Sequence, residues 1–222
     1  MEIKMVSNLL KANDAIAQQN RKVFKKHGIT VVNIMSSPGA GKTTLLEKTI
    51  EKLSGKYRIA VIEGDVASDD DSKRLSLLDV QVAQINTINL GGACHLDSSM
   101  IQSALDMLEL ETIDLLFIEN VGNLICPSGF DLGEDARVVI LSIPEGDDKP
   151  VKYPTMFRKT DVLILSKFDL LPYSNFKCER LYNDLKNLND KVKTFELSAL
   201  KDEGMEEWLK WLEDIMQKID AG

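Results

Sequence analysis

The stretch that decides the fold is Ser36-Ser37-Pro38-Gly39-Ala40-Gly41-Lys42-Thr43. It follows an apolar run from Ile29 to Met35 and precedes a helical pattern from Leu45 to Leu53, which is the setting of a phosphate-binding loop. Backbone N–H groups and the start of the helix would hold the phosphates, Lys42 would reach the β and γ phosphates, and the Thr43 hydroxyl would bind magnesium. The pattern therefore predicts a protein that binds a nucleoside triphosphate.

The predicted loop departs from the usual motif at its first position, where Ser36 replaces glycine. Serine fits there only if its backbone avoids a conformation restricted to glycine. The alternative interpretation is a glycine-rich turn that binds nothing, which the flanking strand and helix disfavour. We expect nucleotide contacts from Pro38, Gly39, Ala40, Gly41, Lys42, Thr43 and Thr44.

Composition limits the class of protein. The chain has 222 residues and is 44% hydrophobic, which suits one domain with a sizeable core and a short appendage. Its 27 basic and 35 acidic residues give a net charge of −8, which argues against nucleic acid as a partner. The longest apolar runs are strand-sized and residues 1–28 are too polar for a signal peptide, so we expect a cytoplasmic protein without a membrane segment. The three cysteines are interpreted as thiols or metal ligands.

Short apolar runs alternate with helical stretches along most of the chain. Residues 1–28 are predicted to contain an amphipathic helix over Met5–Lys26. Residues 29–222 are expected to form a P-loop NTPase domain that closes with a helix over 204–219. Near-continuous apolar strands separated by helices predict an α/β fold, a mostly parallel sheet covered by helices on both faces. The predicted strands are 30–35, 58–63, 80–85, 114–119, 138–143, 162–166 and 194–197.

A second nucleotide motif supplies what phosphoryl transfer needs beyond the loop, a magnesium ligand and a group that senses the γ phosphate. Residues 115–122 read Leu-Leu-Phe-Ile-Glu-Asn-Val-Gly and bring Glu119 to the end of an apolar strand. We expect Glu119 to bind magnesium. The commoner residue at this position is aspartate, and the longer glutamate side chain could bind the ion through a water. The Gly122 N–H is expected to contact the γ phosphate.

A further carboxylate, Asp65, lies in the run Ile62-Glu63-Gly64-Asp65, which ends an earlier predicted strand at the same edge of the sheet. It is a candidate for binding magnesium or for orienting the attacking water. The alternative, left open, is that it caps a helix predicted over residues 68–78. The predicted catalytic set is Lys42, Asp65, Glu119 and Gly122, and the predicted magnesium ligands are Thr43, Asp65 and Glu119.

A third motif concerns recognition of the nucleotide's base. GTPases end a strand with Asn-Lys-x-Asp, whose carboxylate accepts hydrogen bonds from guanine that adenine cannot donate. Here Lys167 and Asp169 match the motif while Ser166 replaces the asparagine, which leaves the strictness of base selection open. Ser198 and Ala199 follow a later strand and resemble the loop that contacts the guanine oxygen. In this order after the phosphate loop, the motifs favour GTP over ATP.

The candidate metal ligands are Cys94, His95 and Cys126. Sulfur beside imidazole suits nickel or zinc, and both segments are predicted in loops at the carboxyl edge of the sheet, where they can converge. Gly91 and Gly92 permit the turn that brings neighbouring cysteine and histidine onto one ion. The alternative is that the cysteines are small buried apolar residues. Cys178 and His27 have no such neighbours and no assigned role.

With these residues assembled, the chain resembles the nickel-inserting GTPases of nickel-iron hydrogenase maturation, the HypB family. The resemblance is carried by SSPGAGKTTLLE, Glu63-Gly64-Asp65, GGACHLD, ENVGNLICP, EGDDKPVKYP and SKFDL, which span nearly the whole chain. It implies a GTP-dependent homodimer that carries nickel or zinc on Cys94, His95 and Cys126. It further implies that nickel passes, with a small nickel metallochaperone partner, toward the hydrogenase large-subunit precursor.

The departures from related patterns narrow this expectation. The chain has neither the cysteine-rich motif nor the histidine-rich tract that some family members carry at the amino terminus, so metal storage is not expected. The cousin family that inserts nickel into urease carries Cys-Pro-His, whereas this chain has Cys-His. A urease-type GTPase, a metal-independent P-loop kinase and a nonenzymatic metal-binding scaffold remain as alternatives. Lys149 or Lys152 is expected to stabilise phosphate charge across a dimer interface, unless both are simply solvated.

Overall fold

The computed structural model describes residues 2–65, 70–88 and 92–220. Its centre is a parallel sheet with the strands β1 (Thr30–Ser36), β2 (Ile59–Asp65), β3 (Gln81–Asn86), β4 (Leu115–Glu119), β5 (Ala136–Ser142), β6 (Val162–Ser166) and β7 (Lys193–Glu196). The strands lie in the order β3-β2-β4-β1-β5-β6-β7, which confirms the predicted α/β fold. The five central strands are almost wholly buried, as their apolar runs predict for a sheet covered on both faces.

Helices connect the strands and cover both faces of the sheet. They are α1 (Glu2–His27), α2 (Lys42–Leu53), α3 (Asp70–Ser76), α4 (Ser98–Leu105), α5 (Lys149–Lys152), α6 (Pro154–Arg158), α7 (Cys178–Leu188) and α8 (Met205–Asp220). The helix predicted over 68–78 is shorter, because a turn follows Ser76 and Asp79 has a positive φ of 56°. Residues 68 and 69 lie outside the described residues. No helix in the described ranges has the length and apolar character needed to cross a membrane.

The core is divided by the sheet. One face packs against α2, α3 and α8, while the other packs against α1 and α4 under one half of the sheet and against α6 and α7 under the other half. Trp208 of α8 is fully buried, and its indole N–H donates to the Thr49 hydroxyl at 2.9 Å. Both tryptophans are therefore packing residues, as their spacing predicts.

The amino-terminal helix α1 is bound to the rest of the chain through polar as well as apolar contacts. Phe24 lies in the core beneath β2 and β4, and the buried Asn20 donates to the carbonyl oxygens of Ser98 and Leu132. Gly133 has a φ of +96°, and a Cβ there would lie 2.9 Å from the Ala17 carbonyl oxygen. The absence of a side chain at Gly133 thus allows the close approach of α1.

The topology brings the predicted motifs to one edge. β1 lies between β4 and β5, and the loop that follows it is flanked by the carboxyl ends of β4 and, beyond β5, of β6. In parallel sheets, ligands bind at this edge, where strand order reverses on either side of the central strand. Glu119 ends β4 and Ser166 ends β6, so the second and third motifs reach the phosphate loop from opposite sides.

Candidate functional site

The phosphate loop has the backbone that its glycines require. Gly39 and Gly41 have φ angles of +75° and +101°, and α2 begins immediately afterwards at Lys42. Ser36 is fully buried, and among the described residues the non-glycine positions with positive φ are Asp79, Lys167 and Asp202. Serine therefore occupies the first motif position without adopting a glycine-only conformation. The Lys42 ammonium lies 3.3 Å from the Ser36 hydroxyl oxygen, so it lies over the start of the loop.

The oxygens predicted to bind magnesium are adjacent. The Thr43 hydroxyl donates to a Glu119 carboxylate oxygen at 2.9 Å, and the Lys42 ammonium lies 4.0 Å from the same oxygen. Glu119 is 3% exposed. Magnesium prefers oxygen ligands and retains several waters beside a phosphate. The Thr43 hydroxyl at the start of α2 and the Glu119 carboxylate at the end of β4 fit that preference.

Glu63 also lies at this site, although the sequence prediction gave the role of the second carboxylate to Asp65. It is buried and stands in register with Glu119, so the two carboxylates lie on the same face of the sheet. The Ser72 hydroxyl of α3 donates to Glu63 at 2.6 Å. Asp65 lies two residues further along β2, half-buried, and its backbone carbonyl accepts from the Thr87 N–H at 2.9 Å. The carboxylate beside Glu119 is thus that of Glu63, and the role of Asp65 stays a prediction.

The base-recognition residues line a cavity of about 170 Å³ together with the phosphate loop. Asp169 receives a hydrogen bond from the Ser198 side chain and lies 3.5 Å from the Lys201 ammonium. These two groups hold the pKa of the Asp169 carboxyl below its usual value, chiefly through the Ser198 hydrogen bond. An ionised carboxylate is what two N–H donors of a base require. The cavity is lined by Ala40, Gly41, Thr44, Leu45, Ser166, Lys167, Asp169, Leu170, Leu197, Ser198, Ala199 and Leu200.

The loop that carries Ser198 and Ala199 depends on Gly204. Gly204 has a φ of +72°, and a Cβ there would lie 2.2 Å from the Glu196 carbonyl oxygen. We expect Gly204→Ala to lower the free energy of unfolding by about 2 kcal/mol or more, because backbone strain and overpacking add together. Denaturant unfolding measures this change. Gly55→Ala is the matched control, since a Cβ at Gly55 would meet no atom within 4 Å and its φ is not positive; equal effects at both sites would contradict the strain at Gly204.

The three candidate metal ligands converge. One ligand atom from each of Cys94, His95 and Cys126 lies within 4.8 Å of the other two, and no other cluster of this kind occurs among the described residues. The Cys94 sulfur is 3.9 Å from His95 Nδ1, and the His95 ring packs on Phe130 with centroids 4.0 Å apart. Burial lowers the pKa of His95 below its usual value, which favours the neutral imidazole that binds metals. Of the glycines before Cys94, Gly92 has a φ of +75°, while Gly91 lies outside the described residues.

The Cys126 thiol is held by its own loop. The Asn123 side-chain oxygen accepts from the Cys126 N–H at 3.1 Å, and its amide nitrogen lies 3.5 Å from the Cys126 sulfur. The pKa of Cys126 is raised, first because its thiol hydrogen bonds to Cys94 and second because it is partly buried. A metal ion that binds here would displace the proton of each thiol.

Asn120 joins the two metal-bearing loops to the sheet. It is 1% exposed, its side-chain oxygen accepts from the Leu96 N–H at 3.1 Å, and its amide donates to the Asn33 side chain at 3.4 Å. Leu96 follows His95 directly and would contact a Cβ at Gly64. Asn120 thus anchors the Cys94–His95 loop to the segment that begins with Glu119. Sequence reasoning missed this role because it depends on the loop path.

Lys149 and Lys152 lie together on the short helix α5. Their ammonium groups are 3.3 Å and 2.6 Å from the Asp148 carboxylate, respectively. Lys149 also donates to the Glu145 carbonyl oxygen. Both lysines therefore have partners within the subunit, and their predicted action across a dimer interface stays a prediction.

Comparison with known proteins finds relatives that are similar in sequence and in fold. The family model described as "CobW/HypB/UreG, nucleotide-binding domain" matches residues 30–196. A hydrogenase maturation factor HypB of Azotobacter chroococcum is 46% identical over 211 residues, which cover 95% of this chain and 68% of that protein. The crystal structure of HypB from Helicobacter pylori in complex with nickel is 40% identical, with a TM-score of 0.88 over 93% of this chain and 96% of that one. HypB from Archaeoglobus fulgidus is 39% identical, with a TM-score of 0.86 over 93% and 99%.

Proposed function

The chain belongs to the HypB family of hydrogenase maturation factors, and on that premise we propose that it is a GTP-hydrolysing metallochaperone. It binds nickel or zinc on Cys94, His95 and Cys126 and delivers nickel during hydrogenase maturation. A small nickel metallochaperone and the hydrogenase large-subunit precursor are the proposed partners. The observation that carries the proposal is the convergence of the three ligands beside a loop that contacts the phosphate loop.

In the proposed mechanism, the phosphate loop and Lys42 bind the triphosphate, and the carboxylate of Asp169 selects guanine. Thr43 and Glu119 would hold magnesium, which would neutralise charge that develops on the β and γ phosphates. We propose that the Gly122 N–H contacts the γ phosphate, which is supported by the close packing of Gly122 on Pro38 of the phosphate loop, where a Cβ would lie 3.1 Å from the proline. Hydrolysis would remove that contact.

The proposed link between the two sites is the segment 119–126. Glu119 and Gly122 contact the phosphate loop, while Asn120 and Asn123 hold the Cys94–His95 loop and Cys126. Contacts to the two sites thus alternate along one short segment. Loss of the γ phosphate would change the conformation of segment 119–126, and this change would move the metal ligands. Nucleotide state thus gates metal affinity.

We propose that the homodimer forms on the face that carries the metal ligands. Ile125, next to Cys126, is 65% exposed, and an exposed apolar side chain beside three ligands suits a contact with a second subunit. Three ligands per subunit leave a coordination position open, or allow two subunits to share ions across a symmetric interface.

The test is a comparison of nickel affinity and subunit mass in three states: nucleotide-free, with GDP and with a nonhydrolysable GTP analogue. We expect the affinity to differ about fivefold or more between the analogue and GDP, the range of a typical coupling free energy. Competition with a coloured chelator measures the affinity, and sedimentation measures the mass. Lys42→Ala is the control, because it should show one affinity in all three states.

Nickel affinity together with nucleotide turnover, measured with and without a small acceptor, separates the alternatives. Formation of nucleoside diphosphate that requires an added small acceptor, with the phosphoryl group transferred to that acceptor, would identify a kinase and contradict the proposal. Metal binding that is identical in all three states of the wild type would indicate a scaffold without nucleotide control. A GTPase that releases nickel on hydrolysis to a chelator, without any acceptor, supports the metallochaperone.

A further inference from the structure

We propose that Ser166 is a positioning residue for guanine recognition, whose hydroxyl replaces the amide that the GTPase motif carries at this place. The inference rests on the proposed function, since it concerns the base of the bound nucleotide. It reverses the simplest expectation from the sequence, that the loss of asparagine relaxes selectivity.

The first step is the contact itself. The Ser166 hydroxyl, at the buried end of β6, donates to the Ala40 carbonyl oxygen at 2.6 Å. Ala40 is 1% exposed, so little water reaches the phosphate loop at this residue. A buried carbonyl that loses its donor is costly, which makes this hydrogen bond a strong constraint on the distance between the two loops.

The second step is that this contact has a parallel one beside it. The Lys167 ammonium donates to the Gly39 carbonyl oxygen at 2.7 Å, and Lys167 itself has a φ of +54°. Two consecutive residues therefore bind two consecutive carbonyls of the phosphate loop. The chain turns sharply at Lys167, and the turn directs Asp169 into the base cavity.

The base-recognition loop is also held on its other side, by the loop that carries Ser198 and Ala199. The Phe168 N–H donates to the Leu197 carbonyl oxygen at 3.1 Å, and Ser198 donates to Asp169. The base-recognition loop is thus held between the phosphate loop and the Ser198–Ala199 loop. Ser166 is its buried attachment to the phosphate loop, and loss of that attachment would release Asp169 from its position relative to the base.

The experiment compares Ser166→Thr with Ser166→Val, which match in volume and branching and differ in the hydroxyl. We expect Ser166→Val to bind GTP about tenfold more weakly than Ser166→Thr, while their ATP affinities differ by less than about twofold. A merely structural role would weaken GTP and ATP alike, so the GTP to ATP ratio is the diagnostic quantity. Ser166→Ala is expected to behave like Ser166→Val, and thermal unfolding checks that each variant is folded.

A second measurement places the effect on Asp169. In an Asp169→Asn background, which should weaken GTP and favour xanthosine triphosphate, the difference between Ser166→Thr and Ser166→Val in the GTP to ATP ratio should disappear. A difference that persists in this background would overturn the inference, as would equal ratios in the two variants alone. If the wild type itself fails to prefer GTP over ATP, the proposed function fails as well; if it prefers GTP and Ser166→Val keeps the full preference, only the inference fails.

Discussion

Lys42→Ala is expected to lower the affinity for GTP by at least about 100-fold and to remove hydrolysis, because charge-assisted hydrogen bonds to the β and γ phosphates contribute about 1.5–3 kcal/mol each. The Lys42 side chain is 11% exposed and lies between the start of the phosphate loop and Glu119. Its position is therefore fixed before nucleotide binds, and little side-chain entropy is lost on binding. Isothermal titration with GTP measures the change.

The control for Lys42→Ala is Lys48→Ala on the same helix. Lys48 pairs with Glu51 at the surface, so its loss removes the same charge from α2 away from the phosphate loop. Lys42 is also the cation beside the buried Glu119, so thermal unfolding must show that Lys42→Ala remains folded. A folded Lys42→Ala variant that binds GTP as tightly as Lys48→Ala would remove the phosphate-loop assignment.

The sheet was predictable because its signals are local. Each strand is a short apolar run, and burial on both faces of a parallel sheet requires such runs whatever the detailed packing. The boundaries shift by one or two residues, as at β5, which begins at Ala136 and ends at Ser142 because a 3₁₀ turn over Ile143–Glu145 follows. Helix α4, over Ser98–Leu105, was not predicted, since its eight residues are a weak periodic signal whose amino end depends on an Asp97 cap.

The site was predictable to the extent that strand ends meet at one edge. That rule alone places Glu119, Asp169 and the metal-bearing loops near the phosphate loop. It does not give the path of a loop, and the roles of Asn120, Asn123 and Ser166 depend on that path. Asparagine and serine occur in most loops, so their hydrogen bonds to Leu96, Cys126 and Ala40 carry no sequence signal.

Glu63 shows the same limit for a charged residue. The prediction chose Asp65 from the run Ile62-Glu63-Gly64-Asp65, although Glu63 is the last residue of the predicted strand 58–63. The register of β2 against β4 instead sets Glu63 beside Glu119, and register is a long-range property that local pattern does not specify.

The second large effect is expected at the metal ligands: Cys94→Ala and Cys126→Ala should each lower nickel affinity by more than about 100-fold. Removal of a residue that only hydrogen-bonds to a metal ligand already lowers metal affinity by about 10–100-fold, and removal of the ligand itself should cost more. One nickel or zinc equivalent per subunit is expected in the wild type. Thiolate bound to nickel gives a sulfur-to-metal charge-transfer band, and absorption spectroscopy should show that each variant diminishes it. Nickel with these ligands tends toward a planar arrangement and zinc toward a tetrahedral one, so the two ions should stabilise the dimer differently.

Cys178→Ala is the matched control, because Cys178 is the remaining thiol and begins α7, outside the cluster of three ligands. It should bind nickel like the wild type. Uptake should weaken as pH falls, since thiols and imidazole must release protons to bind. The pKa of His95 is lowered, so its imidazole stays neutral below the usual histidine range, whereas the pKa of Cys126 is raised, so thiol ionisation controls uptake at higher pH. If Cys94→Ala and Cys126→Ala bind nickel as Cys178→Ala does, the two cysteines are structural, and nickel delivery loses the observation that supports it.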